Sequence, residues 1–119
     1  ITNEIMVMPL IGVIDEARAE QVLTTALSGV SSRQTAVLIL DITGVRNAST
    51  EVAETLLKAA RAVSMLGAEV VISGVRAAVA HALVDVAHAI EGIVTKASLA
   101  QAVAYAMDRV RRNRGLRRN

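Results

Sequence analysis

The stretch that decides the fold is Ala36-Val-Leu-Ile-Leu-Asp-Ile-Thr-Gly-Val45. Its first five residues form an uninterrupted apolar run that ends at the carboxylate of Asp41, a pattern typical of a strand buried on both faces. A strand of this kind lies in the interior of a sheet whose two faces are both covered. We therefore expect residues 36–40 to be a central strand, and we expect Gly44 to lie in the connection that follows.

The residues before this strand predict an edge strand and then an amphipathic helix. Residues 5–11 are apolar but contain Pro9, which has no N–H to donate to a neighbouring strand, so we expect this segment near a sheet edge or a bulge. Asp15 is suited to cap a helix that runs to residue 28, where Gly29 is expected to stop it. The inner stripe of this helix consists of Ala19, Val22, Leu23, Ala26 and Leu27.

The residues after the central strand alternate between helices and short strands. Helices are expected at residues 49–66, 77–89 and 98–112, and strands at residues 69–73 and 93–95. Gly67 is expected to end the first of these helices, on which Glu54 and Lys58 lie four residues apart and can pair. The alternation predicts an α/β fold, with a four- to five-stranded mixed, largely parallel sheet and about four helices mainly on one face.

Length and composition indicate one domain with an aliphatic core. The chain has 119 residues, 53% of them hydrophobic, with Tyr105 as its single Phe, Tyr or Trp residue and with no cysteine. Because there is no disulfide framework and no thiolate site, we expect a cytoplasmic protein. No apolar run is long enough to span a bilayer, and the N-terminus does not have the layout of a signal peptide. We expect one domain at residues 1–112, excised from a longer chain, and a basic disordered tail at residues 113–119.

The charges divide into an acidic body and a basic end. Residues 1–108 carry seven Lys and Arg against eleven Asp and Glu, whereas residues 109–118 contain six Arg and no acidic residue. No basic face is interleaved with aromatic rings, so neither nucleic acid nor a membrane is an expected partner. The Arg-rich end is expected to be solvated, and binding of nucleic acid through it stays open as an alternative.

Candidate catalytic or metal-binding groups are few. His81, Asp85 and His88 recur at helical spacing, which places two imidazoles and a carboxylate on one helix face. That face points away from the stripe that contains Val79, so a solvated polar face explains it better than a metal site does. No nucleophile elbow, phosphate-binding glycine loop or carboxylate pair accompanies these residues. We expect no catalytic residue, no metal and no cofactor.

Several segments together resemble a known family. They are Leu38-Ile-Leu-Asp-Ile-Thr-Gly-Val45, the Ser49-Thr50 step that opens the second helix, Leu66-Gly-Ala-Glu-Val-Val-Ile-Ser-Gly-Val-Arg76, Met8-Pro-Leu-Ile-Gly12 and Gly92-Ile-Val-Thr95. With them the chain resembles, over nearly its whole length, the STAS domain of stressosome co-antagonists of the RsbR type, within the anti-sigma factor antagonist family.

This resemblance implies a non-enzymatic signalling scaffold in the stress-response control of sigma factor activity. Such a domain would follow an N-terminal sensor domain and bind homologous STAS domains and a switch Ser/Thr kinase, as a homo-oligomer or within a large assembly. The resemblance also implies phosphorylation at the start of the second helix, where Thr50 takes the position of the acceptor. A Pro-Val-Val-Asp-like stretch of the family is replaced here by Arg46-Asn-Ala-Ser49, which makes Ser49 a competing acceptor.

The start of the second helix has both an ordinary and a functional interpretation. The hydroxyls of Ser49 and Thr50 are suited to cap the helix, and a hydroxyl held there is also accessible to a kinase. We expect an interaction surface around this helix start, formed by Arg46, Glu51, Glu54, Lys58 and Arg61. Two other functions remain open: a small α/β module that binds a nucleotide or lipid near Asp41 and Gly74, and a nucleic-acid-associated protein that acts through the Arg-rich tail.

Overall fold

The computed structural model describes residues 4–46, 50–85 and 93–118. In chain order, its elements are strand β1 (Ile5–Gly12), helix α1 (Glu16–Arg33), strand β2 (Val37–Val45), helix α2 (Thr50–Met65), strand β3 (Glu69–Ser73), helix α3 (Ala77–Asp85), strand β4 (Val94–Lys96) and helix α4 (Leu99–Arg118). Strands and helices alternate throughout this part of the chain, which confirms the predicted α/β fold.

The four strands form one sheet in the order β1-β2-β3-β4. All three pairings are parallel, so within the described residues the sheet is parallel rather than mixed. β2 lies between β1 and β3, as the apolar run predicts, and it continues past the expected residue 40 to Val45. β1 lies at an edge, and its register against β2 shifts between Pro9 and Ile11. The expectation that the Pro9 segment lies near an edge or a bulge is therefore confirmed.

The two faces of the sheet are covered unequally. Leu38, Leu40 and Ile42 point to the face on which α1, α2 and α3 pack, and they belong to the larger core cluster. Val37, Ile39 and Val71 point to the opposite face, where they contact residues of α4: Ala102, Ala106 and Val110. Because successive residues of a strand point to opposite faces, residues 37–40 of β2 must all be apolar to fill both cores.

Helix α1 begins as predicted and ends later. Asp15 is its N-cap, and its Oδ1 accepts a hydrogen bond from the backbone N–H of Arg18 at 2.8 Å. The expected stop at Gly29 is wrong, because the helix continues to Arg33 and ends at Gln34 in a left-handed conformation. Gly29 instead provides room for a neighbour: a Cβ atom at this position would lie 2.5 Å from Cε of Met6.

Helix α4 extends beyond the expected end at residue 112. It runs to Arg118, so residues 113–118 are helical where the sequence analysis placed a disordered tail. Val110 is buried, and the guanidinium Nε of Arg114 lies 3.3 Å from Oε2 of Glu4. These contacts with β1 and with Glu4, the residue before it, stabilise the helix beyond its last regularly spaced apolar positions. Even α4, the longest helix in the described ranges, is not apolar enough to cross a bilayer, and neither is any other described helix.

Candidate functional site

The carboxyl ends of β1, β2 and β3 meet at one edge of the sheet, and α1, α2 and α3 begin there. Open parallel sheets characteristically bind their ligands at this edge. Near it lie a hydrogen-bonded cluster around Asp41, a groove between α1 and α2, and the start of α2. Residues 47–49 and 86–92 lie outside the described residues.

Asp41 accepts two hydrogen bonds from hydroxyl groups at this edge. Ser73 Oγ donates to Asp41 Oδ1 at 2.8 Å, and Thr43 Oγ1 donates to the same oxygen at 2.8 Å. Arg76 then donates from Nη2 to the carbonyl oxygen of Thr43 at 2.7 Å. Ser73 is fully buried, and a buried hydroxyl without a partner would be costly. This Asp41 cluster (Asp41, Thr43, Ser73 and Arg76) fixes the end of β2 to the end of β3 and to the start of α3.

Thr43 fills the space between Asp41 and Gly74. Gly74 has φ of +75°, and a Cβ atom there would lie 2.7 Å from the backbone nitrogen of Thr43. This close approach requires glycine on both steric and conformational grounds. The nucleotide- or lipid-binding alternative expected a pocket near Asp41 and Gly74, and that expectation stays a prediction.

A groove of about 460 Å³ lies between the first turns of α1 and the first turns of α2. Its apolar lining comes from Ile14, Ala19 and Leu23. Its charged lining consists of four carboxylates and one ammonium group: Asp15, Glu16, Glu20, Glu54 and Lys58. Lys58 Nζ lies 3.9 Å from Oε1 of Glu20, so the predicted i,i+4 partner Glu54 is replaced by a residue of the neighbouring helix. This α1–α2 groove therefore has an apolar base and a net negative rim.

Most of the predicted interaction surface is exposed. Glu54, Lys58 and Arg61 are exposed on α2 with spacings of four and three residues, which place them on one face of the helix. Arg46 is exposed just after β2, and its backbone N–H donates to the carbonyl oxygen of Gly12 at 2.8 Å. The side chain of Glu51 lies outside the described part of the structure. The structure thus brings three of the five residues together on α2 and places Arg46 at the strand end that leads to it.

The predicted phosphoacceptors lie at the boundary of the described residues. Thr50 is the first residue of α2, as expected for an acceptor at a helix start, but its side chain lies outside the description. Ser49 lies outside it entirely. The choice between these two hydroxyls therefore stays a prediction.

The described residues contain no group of three His, Asp or Glu side chains that could hold a metal ion. His81 is exposed on α3, whereas the side chain of Asp85 and all of His88 lie outside the described residues. Their joint placement on one face thus stays a prediction from helical spacing.

The shifted pKa values belong to a different cluster, on the α4 face of the sheet. Tyr105 donates its hydroxyl hydrogen bond to Oε1 of Glu69, and Arg109 Nε donates to Oε2 of Glu69 at 2.9 Å. Burial and the neighbouring Glu69 carboxylate raise the pKa of Tyr105. The hydrogen bond to Glu69 likewise raises the pKa of Arg109. Lys96 Nζ lies 5.2 Å from the centre of the Tyr105 ring, so these groups form a structural network that ties α4 to β3 and β4.

Sequence reasoning did not find the α1–α2 groove or the Tyr105 network. The groove depends on how two helices lie side by side, which periodicity within each helix does not reveal. The hydroxyls of Thr43 and Ser73, near the carboxyl ends of β2 and β3, were a signal for the Asp41 cluster, because the carboxyl ends of neighbouring parallel strands come together.

Comparisons with known proteins agree with this architecture. A sequence model of the STAS domain matches residues 1–103. The chain is 33% identical over 106 residues to the RsbT co-antagonist protein RsbRA of Bacillus subtilis (strain 168), covering 89% of the chain and 39% of that protein. It is 36% identical over 104 residues to RsbRD of the same organism, covering 87% of the chain and 37% of that protein. The chain thus spans less than two fifths of the length of these relatives.

Two solved structures share the fold. A variant of Moorella thermoacetica RsbS superposes with a TM-score of 0.77 at 20% identity, over 92% of this chain and 93% of that one. A chain from the structure described as "Molecular architecture of the stressosome, a signal integration and transduction hub" gives a TM-score of 0.73 at 20% identity, over 92% of this chain and 96% of that one. At this level of identity the two structures show a common fold.

Proposed function

Because the chain belongs to the STAS domain family, we propose that it is a non-enzymatic signalling scaffold that binds homologous STAS domains and a switch Ser/Thr kinase. In this proposal it works within a larger assembly that controls sigma factor activity during stress. Phosphorylation at the start of α2 sets which partner it holds. The observation that carries the proposal is the similarity to RsbT co-antagonist proteins over almost nine tenths of the chain.

The position of Thr50 supports regulation by phosphate. A helix N-terminus presents unpaired backbone N–H groups and the positive end of the helix dipole, so a phosphate is accommodated there without melting the helix. The phosphate would add about −1.5 to −2 charges next to Glu51 and Glu54. That local negative charge would repel an acidic or apolar partner surface and attract a basic one.

The exposed charges of α2 support partner binding at the same place. Glu54, Lys58 and Arg61 form a mixed-charge face that starts one turn after Thr50. Charges at the rim of an interface mainly affect specificity and the rate of association, so adding a phosphate beside them is an effective way to change partners.

Phosphate mapping tests the first part of this proposal. The protein is incubated with a switch Ser/Thr kinase from the same genome and ATP, and the modified residue is located by mass spectrometry. We expect phosphate on Thr50 and its loss in Thr50→Ala. Phosphate that persists in Thr50→Ala and disappears in Ser49→Ala would assign the site to Ser49, and phosphate at neither residue would refute the proposed regulation.

A charge mimic tests the second part. Thr50→Glu introduces one negative charge at a helix start, where an acidic residue is favourable, so circular dichroism should be unchanged. Sedimentation with a homologous STAS domain or the kinase should show weaker binding to at least one of them. Thr50→Gln has a similar size without the charge and serves as the matched control. If wild type and Thr50→Glu bound both partners with equal affinity, Thr50 would serve only as a helix cap.

A further inference from the structure

Two arginine side chains lie at the carboxyl end of β1 without a carboxylate partner among the described residues. Arg18, in the first turn of α1, donates from Nη2 to the carbonyl oxygen of Ile11 at 3.2 Å. The backbone N–H of Arg46 donates to the next carbonyl oxygen, that of Gly12, at 2.8 Å, and the side chain of Arg46 is exposed. The ion pairs of the described ranges involve neither guanidinium group. Each group therefore has N–H donors left for an anion.

Arg46 is also close to the start of α2. Three residues separate it from Thr50, the first residue of the helix. Because four extended residues span at most about 14 Å, an arginine side chain and a phosphothreonine side chain that point towards each other can meet within this interval. The bond to Gly12 fixes the backbone of Arg46, so its guanidinium group is anchored at one place beside the helix start.

The first turn of α1 lies beside the beginning of α2 as well. Asp15 and Glu16 line one side of the α1–α2 groove, and Glu54 lines the other. Glu54 comes one turn after Thr50, whereas Arg18 belongs to the same turn of α1 as Glu16. The two arginines thus approach the start of α2 from two different elements, the end of β2 and the start of α1.

The other charges around the start of α2 are mostly negative. They come from four carboxylates in the sequence at the starts of α1 and α2: Asp15, Glu16, Glu51 and Glu54. The next cation along α2 is Lys58, which lies two turns after Thr50 and pairs with Glu20. A phosphate group at Thr50 would be repelled by these carboxylates unless a cation is placed next to it.

From this placement, we propose that Arg46 and Arg18 bind the phosphate group of phosphorylated Thr50 within the same molecule. A guanidinium group presents its N–H donors in a planar fork that matches phosphate oxygens, and such charge-assisted hydrogen bonds are stronger than neutral ones. The backbone N–H groups at the start of α2 supply further donors. Phosphorylation then has two effects on the predicted interaction surface: it adds negative charge, and it engages Arg46, which a partner can no longer contact.

Phosphothreonine placed at residue 50 by genetic encoding tests this inference without any kinase. Phosphorus NMR measures the second pKa of the phosphate group, which is ordinarily about 6. A neighbouring guanidinium group favours the dianion, so its removal should raise this pKa. An opposite charge within about 4–6 Å shifts a pKa by about 1–3 units and exposure weakens the effect, so Arg46→Gln and Arg18→Gln should each raise it by about 0.5–1 unit.

Two further variants separate a charge contact from a structural effect. Arg46→Lys keeps the positive charge, so its phosphate pKa should stay closer to the wild-type value than that of Arg46→Gln. Arg33→Gln removes an exposed arginine at the opposite end of α1 and should leave the pKa unchanged. Arg46→Gln retains the backbone N–H that bonds to Gly12, and circular dichroism checks that every variant is folded.

Two outcomes would overturn the inference. A phosphate pKa that is the same in wild type and Arg46→Gln, with both folded, would show that Arg46 does not contact the phosphate. A wild-type pKa that changes with protein concentration would show that a second copy supplies the cation, whereas a contact within one molecule does not depend on concentration.

The inference rests on the proposed function, because both place a phosphate at Thr50, but the two can fail separately. If the kinase leaves Thr50 unmodified while Arg46→Gln shifts the pKa of the encoded phosphothreonine, the proposed regulation is wrong and the phosphate contact stands. If the kinase modifies Thr50 and Arg46→Gln leaves the pKa unchanged, the phosphate contact alone is wrong.

Discussion

The hydroxyl group of Ser73 donates a hydrogen bond to Oδ1 of Asp41 at 2.8 Å, and this bond joins the ends of two neighbouring parallel strands. Since Thr43 donates to the same oxygen, one carboxylate oxygen is the acceptor for both hydroxyls. The acceptor and the donors are therefore not equivalent, and mutations should distinguish them.

Removal of the acceptor should destabilise the protein more than removal of one donor. Asp41→Ala leaves two hydroxyls without their partner, one of them fully buried, and should lower the free energy of unfolding by about 2–3 kcal/mol. Ser73→Ala loses one hydrogen bond and should cost about 1 kcal/mol. Denaturant unfolding followed by circular dichroism measures both, with Thr24→Ala at an exposed position as control. Equal losses in the two variants would contradict this account.

Two glycines with positive φ should respond differently to alanine. Gly67 has φ of +88° and no atom within 4 Å of an added Cβ, so Gly67→Ala should cost about 1–2 kcal/mol for the left-handed backbone alone. Gly74 has a similar φ, but its Cβ would also collide with the backbone of Thr43. Gly74→Ala should therefore destabilise the protein clearly more than Gly67→Ala in the same unfolding experiment. A Gly74→Ala variant that is as stable as Gly67→Ala would show that Thr43 can move.

The raised pKa of Tyr105 should make stability fall at high pH. Burial and Glu69 favour the protonated phenol in the folded state, so the associated stability is fully present below the ordinary tyrosine pKa of about 10 and is lost as the pH rises through the higher folded value. Because Tyr105 is the only tyrosine and the chain has no tryptophan, its phenolate absorbance titrates without interference.

Glu69→Gln provides the matching control for this titration. It removes the carboxylate that disfavours the phenolate, so the midpoint of the Tyr105 titration should move down towards its ordinary value. Tyr105→Phe removes the titrating phenol. Its melting temperature should therefore fall less at alkaline pH than that of the wild-type protein. An unchanged midpoint in Glu69→Gln would leave burial as the whole cause of the shift.

The second half of α4 should contribute measurably to stability. Val110 is 6% exposed and packs against the Ile39 face of the sheet, so Val110→Ala should cost about 1–2 kcal/mol. Deletion from Arg109 onwards should cost more, because it also removes the ion pair between Arg109 and Glu69. Arg111→Ala, at an exposed position, should change the melting temperature little. If the deletion left the melting temperature unchanged, the contacts of α4 beyond Asp108 would make no contribution to the stability of the fold.

Local signals in the sequence were sufficient for most of the fold. The apolar run that ends at Asp41 predicted the central strand, Pro9 predicted an edge or a bulge, and Asp15 predicted a cap, because each effect is confined to a few neighbouring residues. The family resemblance, confirmed by the match to the STAS domain, carried the functional part of the interpretation.

Tertiary contacts explain what the sequence did not reveal. Gly29 was expected to end α1, but it lies inside the helix. Its lack of a side chain leaves room there for Met6. The continuation of α4 past residue 112 is supported by Val110 in the core and by the contact of Arg114 with Glu4, a residue more than a hundred positions earlier. Neither partner can be identified from periodicity within a single helix. The groove was missed for the same reason.

The bulge next to Pro9 affects whether copies of this domain can be held close together without aggregating. β1 is eight residues long and rich in Val, Ile, Leu and Met, the type of edge that recruits further strands and starts fibrous aggregation. Pro9 has no N–H to donate, and from Pro9 to Ile11 β1 advances two residues while β2 advances three, so the extra residue of the bulge lies in β2. A proline in a strand and a bulge beside it are both features with which natural sheets limit further pairing at an edge. Copies of this domain held at high local concentration would thus be less prone to amyloid-like growth along β1, the eight-residue edge strand of the described sheet.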